Sequence, residues 1–513
     1  KTMKKRALLS VSDKQGLLEL AQVLIKHDIE LISTGGTKAT LEQAGLSVLG
    51  IEEVTDFPEM LDGRVKTLHP KIHGGLLFRR DLPEHQKQVD EQDIHAIDYV
   101  IVNLYPFQQT ISKADFTHEE AIENIDIGGP SMLRSAAKNH QSVTVICDPE
   151  DYPKLIEQLE TKGETDLDYR AWCAAKVFRL TASYDSMIAE YLTHKQGIAY
   201  PERFTETFVL KQTLRYGENP HQSAAFYQTP FDESYSMASG IQIQGKELSY
   251  NNIQDGSAAL NLIKEFDAPT CVALKHMNPC GVGTADTLLE AWYKAYAADP
   301  ISIFGGIVAF NRTVDADIAR QCVDIFLEII LAPKYTEEAL QIFATKKNLR
   351  VLHFPHHIVK PFQRATVRIS GGLLVQAVDD HNTDVHDYRC VTKQTLDRAW
   401  ISDLEMGEWV VKHVKSNAIV IIKEGQTIGI GAGQMNRIGA AEIALKQAGG
   451  KAKGAILASD AFFPMDDTVR LAAEYGIACI IQPGGSIKDK DSISACDELG
   501  LCMVFTGERH FKH

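Results

Sequence analysis

Two short runs of small, hydroxyl-bearing residues, Ser10-Val-Ser12-Asp-Lys14 and Ser33-Thr34-Gly35-Gly36-Thr37, each close an apolar stretch. Small side chains let backbone N–H groups approach an anion, and a helix starting just behind them adds a favourable dipole. The hydroxyls and Lys14 could complete a phosphate site. The same residues also suit a strand-to-helix turn with a threonine cap. Two such loops on adjacent strands bring these readings level. Leu61-Asp-Gly-Arg64-Val-Lys66-Thr67-Leu-His69-Pro70 sets Arg64 and Lys66 beside glycine, which suits anion recognition or an ordinary solvated turn. His69 and His73 have helical metal-ligand spacing, but Pro70 lies between them and no H-E-x-x-H pattern is present, so no metal is expected there. Asn103-Leu-Tyr105-Pro-Phe closes a further strand. Asn124-Ile-Asp126-Ile-Gly-Gly-Pro130 precedes an expected helix, Ser131–His140, that carries Arg134 and Lys138. Tyr105 and Asp126 are capable of acid/base work, and a lysine can polarise a carbonyl or carry a proton. A half-buried aromatic and a turn residue are the plain alternatives.

The elements that must position these groups alternate. Ala7–Val11, Ile29–Ser33, Tyr99–Leu104 and Val143–Cys147 read as strands, and Leu17, Leu18, Ala21, Leu24 and Ile25 recur at helical spacing. That order implies an α/β fold with a mostly parallel sheet, whose ligands bind beyond the carboxyl ends of the strands. Residues 151–195 read as helical. The pattern breaks at Gly197–Pro201, so domains are expected at 1–198 and 199–513. The second shows a faint repeat. Cys271–Leu274, Thr287–Ala298, Ile301–Phe310, Asp315–Phe326 and Glu328–Ala332 run strand, helix, strand, helix, strand. Ala418–Ile422, Ala440–Gln447, Ala455–Phe463, Asp467–Tyr475 and Ile477–Gln482 do the same. Halves at about 199–365 and 366–513 follow, although common α/β architecture gives similar patterns without duplication.

The 513 residues suggest about two to four domains. With 44% hydrophobic residues and no apolar run of membrane-spanning length, neither global disorder nor a membrane helix is expected. The net charge of −15 argues against binding the nucleic-acid backbone. Nine scattered cysteines without a C-x-x-C pair fit a reducing compartment. Lys4-Lys5-Arg6 is followed by too short an apolar run for a signal peptide, so a cytoplasmic location is expected. Met3 is read as the natural start. Gly429-Ile-Gly431-Ala-Gly433 lacks the G-x-G-x-x-G spacing, so NAD is not expected.

In order, S-V-S-D-K, S-T-G-G-T, G-R-V-K-T-L-H-P-K-I-H-G-G, N-L-Y-P-F and I-D-I-G-G-P with A-A-K-N-H are followed by L-R-Y-G-E-N-P-H-Q, L-S-Y-N-N, A-L-K-H-M-N-P-C-G, F-G-G, S-N-A-I-V, G-I-G-A-G-Q, S-D-A-F-F-P and A-C-D-E-L-G. From about residue 5 to 513 this resembles the bifunctional purine-biosynthesis family that joins 5-aminoimidazole-4-carboxamide ribonucleotide (AICAR) formyltransferase to inosine monophosphate (IMP) cyclohydrolase. The resemblance implies a methylglyoxal-synthase-like N-terminal cyclohydrolase and a formyltransferase of two cytidine-deaminase-like halves. For ring closure it implies Lys66, Tyr105, Asp126 and Lys138 at the reaction centre. Ser12, Lys14, Ser33, Gly36, Arg64 and Thr67 would hold phosphate and ribose.

For formyl transfer it implies Lys275 and His276, with Asn417 orienting. A neutral histidine can take the amine's proton and a lysine can stabilise the oxyanion. Adjacent strand residues point to opposite faces, so this pair must sit at a strand end or bend. Arg215 and Tyr216 would bind the nucleotide phosphate, with Arg509 and His513 as further ligands. Phe304, Gly305, Phe462 and Asp467 would bind 10-formyltetrahydrofolate, the co-substrate, although core packing competes for both phenylalanines. Small-molecule substrates, a homodimer and no metal are implied. A zinc-dependent base deaminase with an appended nucleotide-sensing domain is the alternative, weakened by the missing H-x-E…P-C-x-x-C set.

Overall fold

The computed structural model describes residues 4–231, 235–354 and 364–513. Met3 therefore lies outside the described residues. The chain divides after Phe208 into two compact units. The division falls later than 198/199 because the intervening segment is tied to the long helix Leu167–Lys195. Ser186 Oγ donates to Thr205 Oγ1 (3.1 Å) and Thr207 Oγ1 to Ser183 Oγ (2.7 Å).

The first unit holds five parallel strands: β1 (Arg6–Val11), β2 (Glu30–Ser33), β3 (Leu49–Gly50), β4 (Tyr99–Asn103) and β5 (Thr144–Ile146). Their order is β3-β2-β1-β4-β5. Ala7, Leu8, Leu9, Val100 and Ile101 are fully buried, as continuous apolar runs must be when helices cover both faces of a sheet. Helix Leu17–Lys26 turns Leu17, Leu20, Ala21 and Leu24 onto it, and helix Gly128–Lys138 adds Met132, Leu133, Ala136 and Ala137. The chain leaves β1 toward β2 and β3 on one side and occupies β4 and β5 on the other. The loops after β1, β2 and β4 therefore meet where the strand order reverses, the usual place for a ligand.

The second unit opens with a hairpin, β6 (Val209–Leu214) and β7 (Ala224–Gln228), and then builds a twelve-stranded sheet. Its first half runs β8 (Ile241–Gln244), helix Tyr250–Ile263, β9 (Thr270–Lys275), β10 (Asn278–Thr284), helix Leu288–Ala298, β11 (Gly306–Phe310), helix Ala316–Val323, β12 (Leu327–Ala332), helix Glu337–Phe343 and β13 (Arg350–His353). A hairpin, β14 (Arg364–Ile369) and β15 (Gly372–Ala377), intervenes. The second half repeats the order: β16 (Arg389–Cys390), helix Ile401–Lys412, β17 (Ile419–Lys423), β18 (Gln426–Gly431), helix Arg437–Ala448, β19 (Ile456–Ser459), helix Asp467–Glu474, β20 (Cys479–Gln482), helix Asp489–Leu499 and β21 (Cys502–Phe505). The pairing repeats as well. The sheet reads β16-β21-β20-β19-β17-β18-β10-β9-β11-β12-β13-β8, and the halves meet antiparallel at Gly283↔Gln426. The hairpin β14–β15 lies between the halves. The expected strand Ile301–Phe310 begins only at Gly306, because 301–305 form a turn.

Glycines set the close approach of helix to sheet in both halves. A Cβ on Gly281 or Gly283 would stand 2.1 Å or 2.4 Å from carbonyls of helix Leu288–Ala298. On Gly429 or Gly431 it would stand 2.0 Å or 1.9 Å from carbonyls of helix Arg437–Ala448. The G-I-G-A-G run is thus a packing device.

Candidate active sites

In the first unit a cavity of ≈ 700 Å³ opens over the ends of β1, β2 and β4, and Ser12, Lys14, Gly36, Arg64, Lys66, Thr67, Tyr105 and Asp126 all line it. Thr34 precedes helix Gly35–Gln43 but makes no side-chain cap; its hydroxyl lies 3.2 Å from Ser10 Oγ. A Cβ on Gly35 would stand 3.9 Å from Lys66 Nζ, and one on Gly36 would stand 3.9 Å from Lys14 Nζ. Two ammonium groups therefore face a dipole that already favours an anion. The loop carrying Lys66 has a left-handed tip, with φ of 57° at Leu61, 53° at Asp62 and 88° at Gly63, closed by Met60–Val65 backbone bonds of 3.1 Å and 3.3 Å. Left-handed conformations at non-glycine residues concentrate at functional loops. Lys66 lies 3.8 Å from Glu59, and Arg64 is ion-paired with Glu123.

Across the cavity Asp126 is half-buried. Burial raises its carboxyl above the ordinary aspartate value, opposed by the Gly129 N–H (2.9 Å) and the charge of Lys66. A Cβ on Gly129 would come within 2.5 Å of Asp126 Oδ2, and one on Gly128 within 2.8 Å of Thr67 Oγ1. The paired glycines let these groups share one wall.

Two expected residues are not in the cavity. Ser33 is fully buried and donates its hydroxyl to Leu9 O (2.7 Å), a bond between β2 and β1. Lys138 is exposed at the far end of helix Gly128–Lys138, about 15 Å along the axis from the glycines at the cavity. Three further residues brace the site. Asn103 accepts from Ser12 N (2.7 Å) and Asp13 N (2.9 Å), and Thr37 accepts from Val11 N (3.0 Å), so both ends of the first loop are pinned. Tyr184, on the long helix, accepts from Asp126 N (2.8 Å).

In the second unit β9 ends at Lys275, and His276 and Met277 form a tight turn with φ of 53° and 65°. This is the bend that a shared Lys–His site requires. Lys275 Nζ donates to Phe304 O (2.8 Å), and the Met277 N–H donates to Asp255 Oδ1 (2.8 Å). Gly305, at φ 73°, would bring a Cβ 4.0 Å from Lys275 Nζ, and Phe304 packs on Phe326 at 5.4 Å. Lys415 N donates to Asn278 Oδ1 (3.0 Å), which joins this turn to the segment entering β17. There Asn417 Nδ2 donates to Gln434 O (2.8 Å), and Ser416 Oγ donates to Asp460, which also pairs with buried Arg437. Phe462 lies two residues beyond Asp460 and is partly exposed. Asp467 begins the next helix, its Oδ1 accepting from Thr468 N.

The C-terminal tail is docked beside this segment. His510 N donates to Asp460 O (2.9 Å) and Ser416 N to Lys512 O (2.8 Å). Arg509 stacks 4.3 Å over Phe511, whose ring also meets His513. Arg215 and Tyr216 stack on one another beyond β6. The described bonds link that hairpin tip to Asn251, not to the Lys275–His276 turn.

Fold and sites together define a two-domain α/β enzyme with a separate candidate centre in each domain. Residues 16–131 match the MGS-like domain family and residues 136–447 the AICARFT/IMPCHase bienzyme family. Proteins named bifunctional purine biosynthesis protein PurH are similar along the whole chain. That of Anoxybacillus flavithermus is 58% identical over 511 residues, covering 100% of both chains. That of Halalkalibacterium halodurans is 56% identical with the same coverage, and that of Listeria monocytogenes is 60% identical over 99% of this chain and 100% of its own. The chain belongs to the AICARFT/IMPCHase bienzyme family. The deaminase alternative finds no support in these comparisons.

Proposed function

We propose that the second unit transfers a formyl group from a folate to the amine of AICAR, and that the first closes the product to IMP with loss of water. The observation that carries the cyclohydrolase assignment is the convergence of Lys14 and Lys66 on an uncapped helix start, opposite a half-buried Asp126. The nucleotide phosphate fits the Gly35–Gly36 amides and Lys14, with Ser12, Arg64 and Thr67 toward the ribose. The carboxamide nitrogen attacks the formyl carbon while Lys66 stabilises the oxygen that gains charge. Asp126 and Tyr105 move the protons by which that oxygen departs as water. Held in a cavity, the two ends of one substrate meet without the entropic cost of a bimolecular encounter.

In the second unit His276 takes the amine's proton as it attacks the formyl carbon. Lys275 has N–H groups beyond the one given to Phe304 O and holds the oxyanion. Asn417 orients the reacting groups. 10-Formyltetrahydrofolate is the donor, set against Phe304, Gly305, Phe462 and Asp467. Arg215, Tyr216, Arg509 and His513 serve the nucleotide. A homodimer belongs to the same reading. Among the described residues no helix is long and apolar enough to cross a membrane.

The test supplies AICAR and formyl donor to wild type, Lys66→Ala and His276→Ala and follows both products. Lys66→Ala is expected to accumulate the formylated intermediate, and His276→Ala to make none. Failure of both variants at one step would overturn the division of labour.

A further inference from the structure

Away from both candidate sites, three thiols line up across three neighbouring strands at one edge of the large sheet. Cys390 lies in the edge strand β16, Cys502 in β21 and Cys479 in β20. Cys390 is exposed and the other two are buried. The sulfurs of Cys390 and Cys502 are 3.8 Å apart, and Cys479 is the register partner of Cys502. The edge strand pairs through Arg389↔Phe505 and Cys390↔Val504, followed by bonds from Val391 N to Met503 O (3.0 Å) and from Met503 N to Thr392 Oγ1 (3.1 Å), so Cys390 and Cys502 are diagonal cross-strand neighbours. A disulfide holds its sulfurs at about 2.05 Å, so closure asks a two-residue strand with one free edge to shift by roughly 2 Å. Hydrogen bonds from Cys479, Cys390 and Thr392 lower the Cys502 thiol below its ordinary value against the opposing effect of burial. Cys479, donating to it, is pushed up. Of the two buried thiols, Cys502 is therefore the more readily ionised.

We propose that Cys390 and Cys502 are a peroxide-responsive thiol pair that closes reversibly to a disulfide. Cys390, the exposed thiol, gives its proton to solvent as its sulfur attacks one oxygen of hydrogen peroxide. The O–O bond breaks, leaving a sulfenic acid on Cys390 and, after proton uptake, water. The Cys502 thiolate then attacks the sulfenic sulfur. The S–O bond breaks, the S–S bond forms, and hydroxide leaves to become water with the proton Cys502 released. In sum two thiols give up two protons and two electrons and the peroxide is reduced to two waters. The bond joins positions 112 residues apart. It fastens the edge strand that follows Asp379, Thr383 and Tyr388 to the strand that leads into the tail. Those three residues hold Glu408 and His510, so closure secures the tail's support from both sides.

The full-length protein is treated with hydrogen peroxide, its remaining thiols are alkylated under denaturing conditions, and its peptides are mapped by mass spectrometry. The expected result is a fall from nine alkylatable thiols to seven, a mass loss of about 2 Da, and a Cys390–Cys502 cross-linked peptide that dithiothreitol abolishes. The oxidised protein should also melt at a higher temperature. Cys390→Ser, at an exposed position, should remove the cross-link and leave both activities unchanged. Cys479→Ser should retain it. Nine thiols after treatment, sulfinic acid at Cys390 without a cross-link, or a bond joining Cys479 to Cys502 would each overturn the proposal.

Discussion

The two halves of the large sheet share a scaffold almost residue for residue and differ where chemistry is expected. Lys275 ends β9 and donates to Phe304 O at 2.8 Å; Lys423 ends β17 and donates to Lys453 O at 2.8 Å. Gly305 follows Phe304 with φ 73° and donates to Phe326 O; Gly454 follows Lys453 with φ 78° and donates to Gly476 O. The turn His276–Met277 has its counterpart in Glu424–Gly425, at φ of 51° and 72°, and an aspartate from the preceding helix braces each turn, Asp255 or Asp403. What changes is the cargo. The second half has Glu424 for His276, Lys453 for Phe304 and Gly476 for Phe326. It places glycine at the second turn position, whereas the first half holds Met277 there at a cost of roughly 1–2 kcal/mol. A shared scaffold explains the lysine and its hydrogen bond. It does not explain a histidine, an aromatic pair and a strained methionine, and residues of that kind are where function sits.

This contrast can be broken by mutating counterparts in pairs. His276→Ala should lower formyl transfer by about 10²–10⁴-fold, the usual worth of a positioned general base, whereas Glu424→Ala should leave it unchanged. Equal losses in the two variants would mean that the turn matters only as structure. Lys275→Ala should cost about 10²–10³-fold in kcat, as removal of an oxyanion donor does, with a normal rate for Lys423→Ala. Phe304→Ala should raise the folate KM by about two- to tenfold, the range of one lost aromatic contact, and Lys453→Ala should not move it. A folate KM that responds to neither would remove Phe304 from the folate wall.

Much of this scaffold was legible in the sequence, and the failures have physical causes. The paired strands β9 with β17, β11 with β19 and β12 with β20 are mostly apolar runs, buried except at Lys275, Lys423 and Glu328. Strands β10 and β18 escape notice because glycine occupies the positions where helix carbonyls press on the sheet, so neither segment is a continuous apolar run. In the first unit the loop after β1, the Arg64–Thr67 loop and Asp126 are recognisable from local residue types. Ser33 and Lys138 belong to the same motifs, but one hydroxyl is spent between strands and one lysine stands at the wrong end of its helix. Asn103 and Tyr184 act across 91 and 58 residues, a separation at which spacing carries no signal.

The smallest expected effect concerns the tail, where free termini ordinarily fray. Here His510 is buried between Asp379 Oδ2 (2.8 Å) and Glu408 Oε1 (3.4 Å). Burial alone would lower the imidazole's pKa, but the two carboxylates overcome it and raise it to about 9. A group whose folded-state pKa exceeds its unfolded value of about 6.5 stabilises fully below that value, and the contribution fades as pH rises through the folded one. Tail docking should therefore weaken between about pH 6.5 and 9, read as a falling Tm and faster hydrogen exchange at Arg509–His513. His510→Gln, which can hydrogen-bond but cannot carry charge, should flatten that dependence and lower the Tm below pH 6.5. An unchanged slope in the variant would show that the tail is held by its backbone bonds to Asp460 and Ser416 and not by the buried charge.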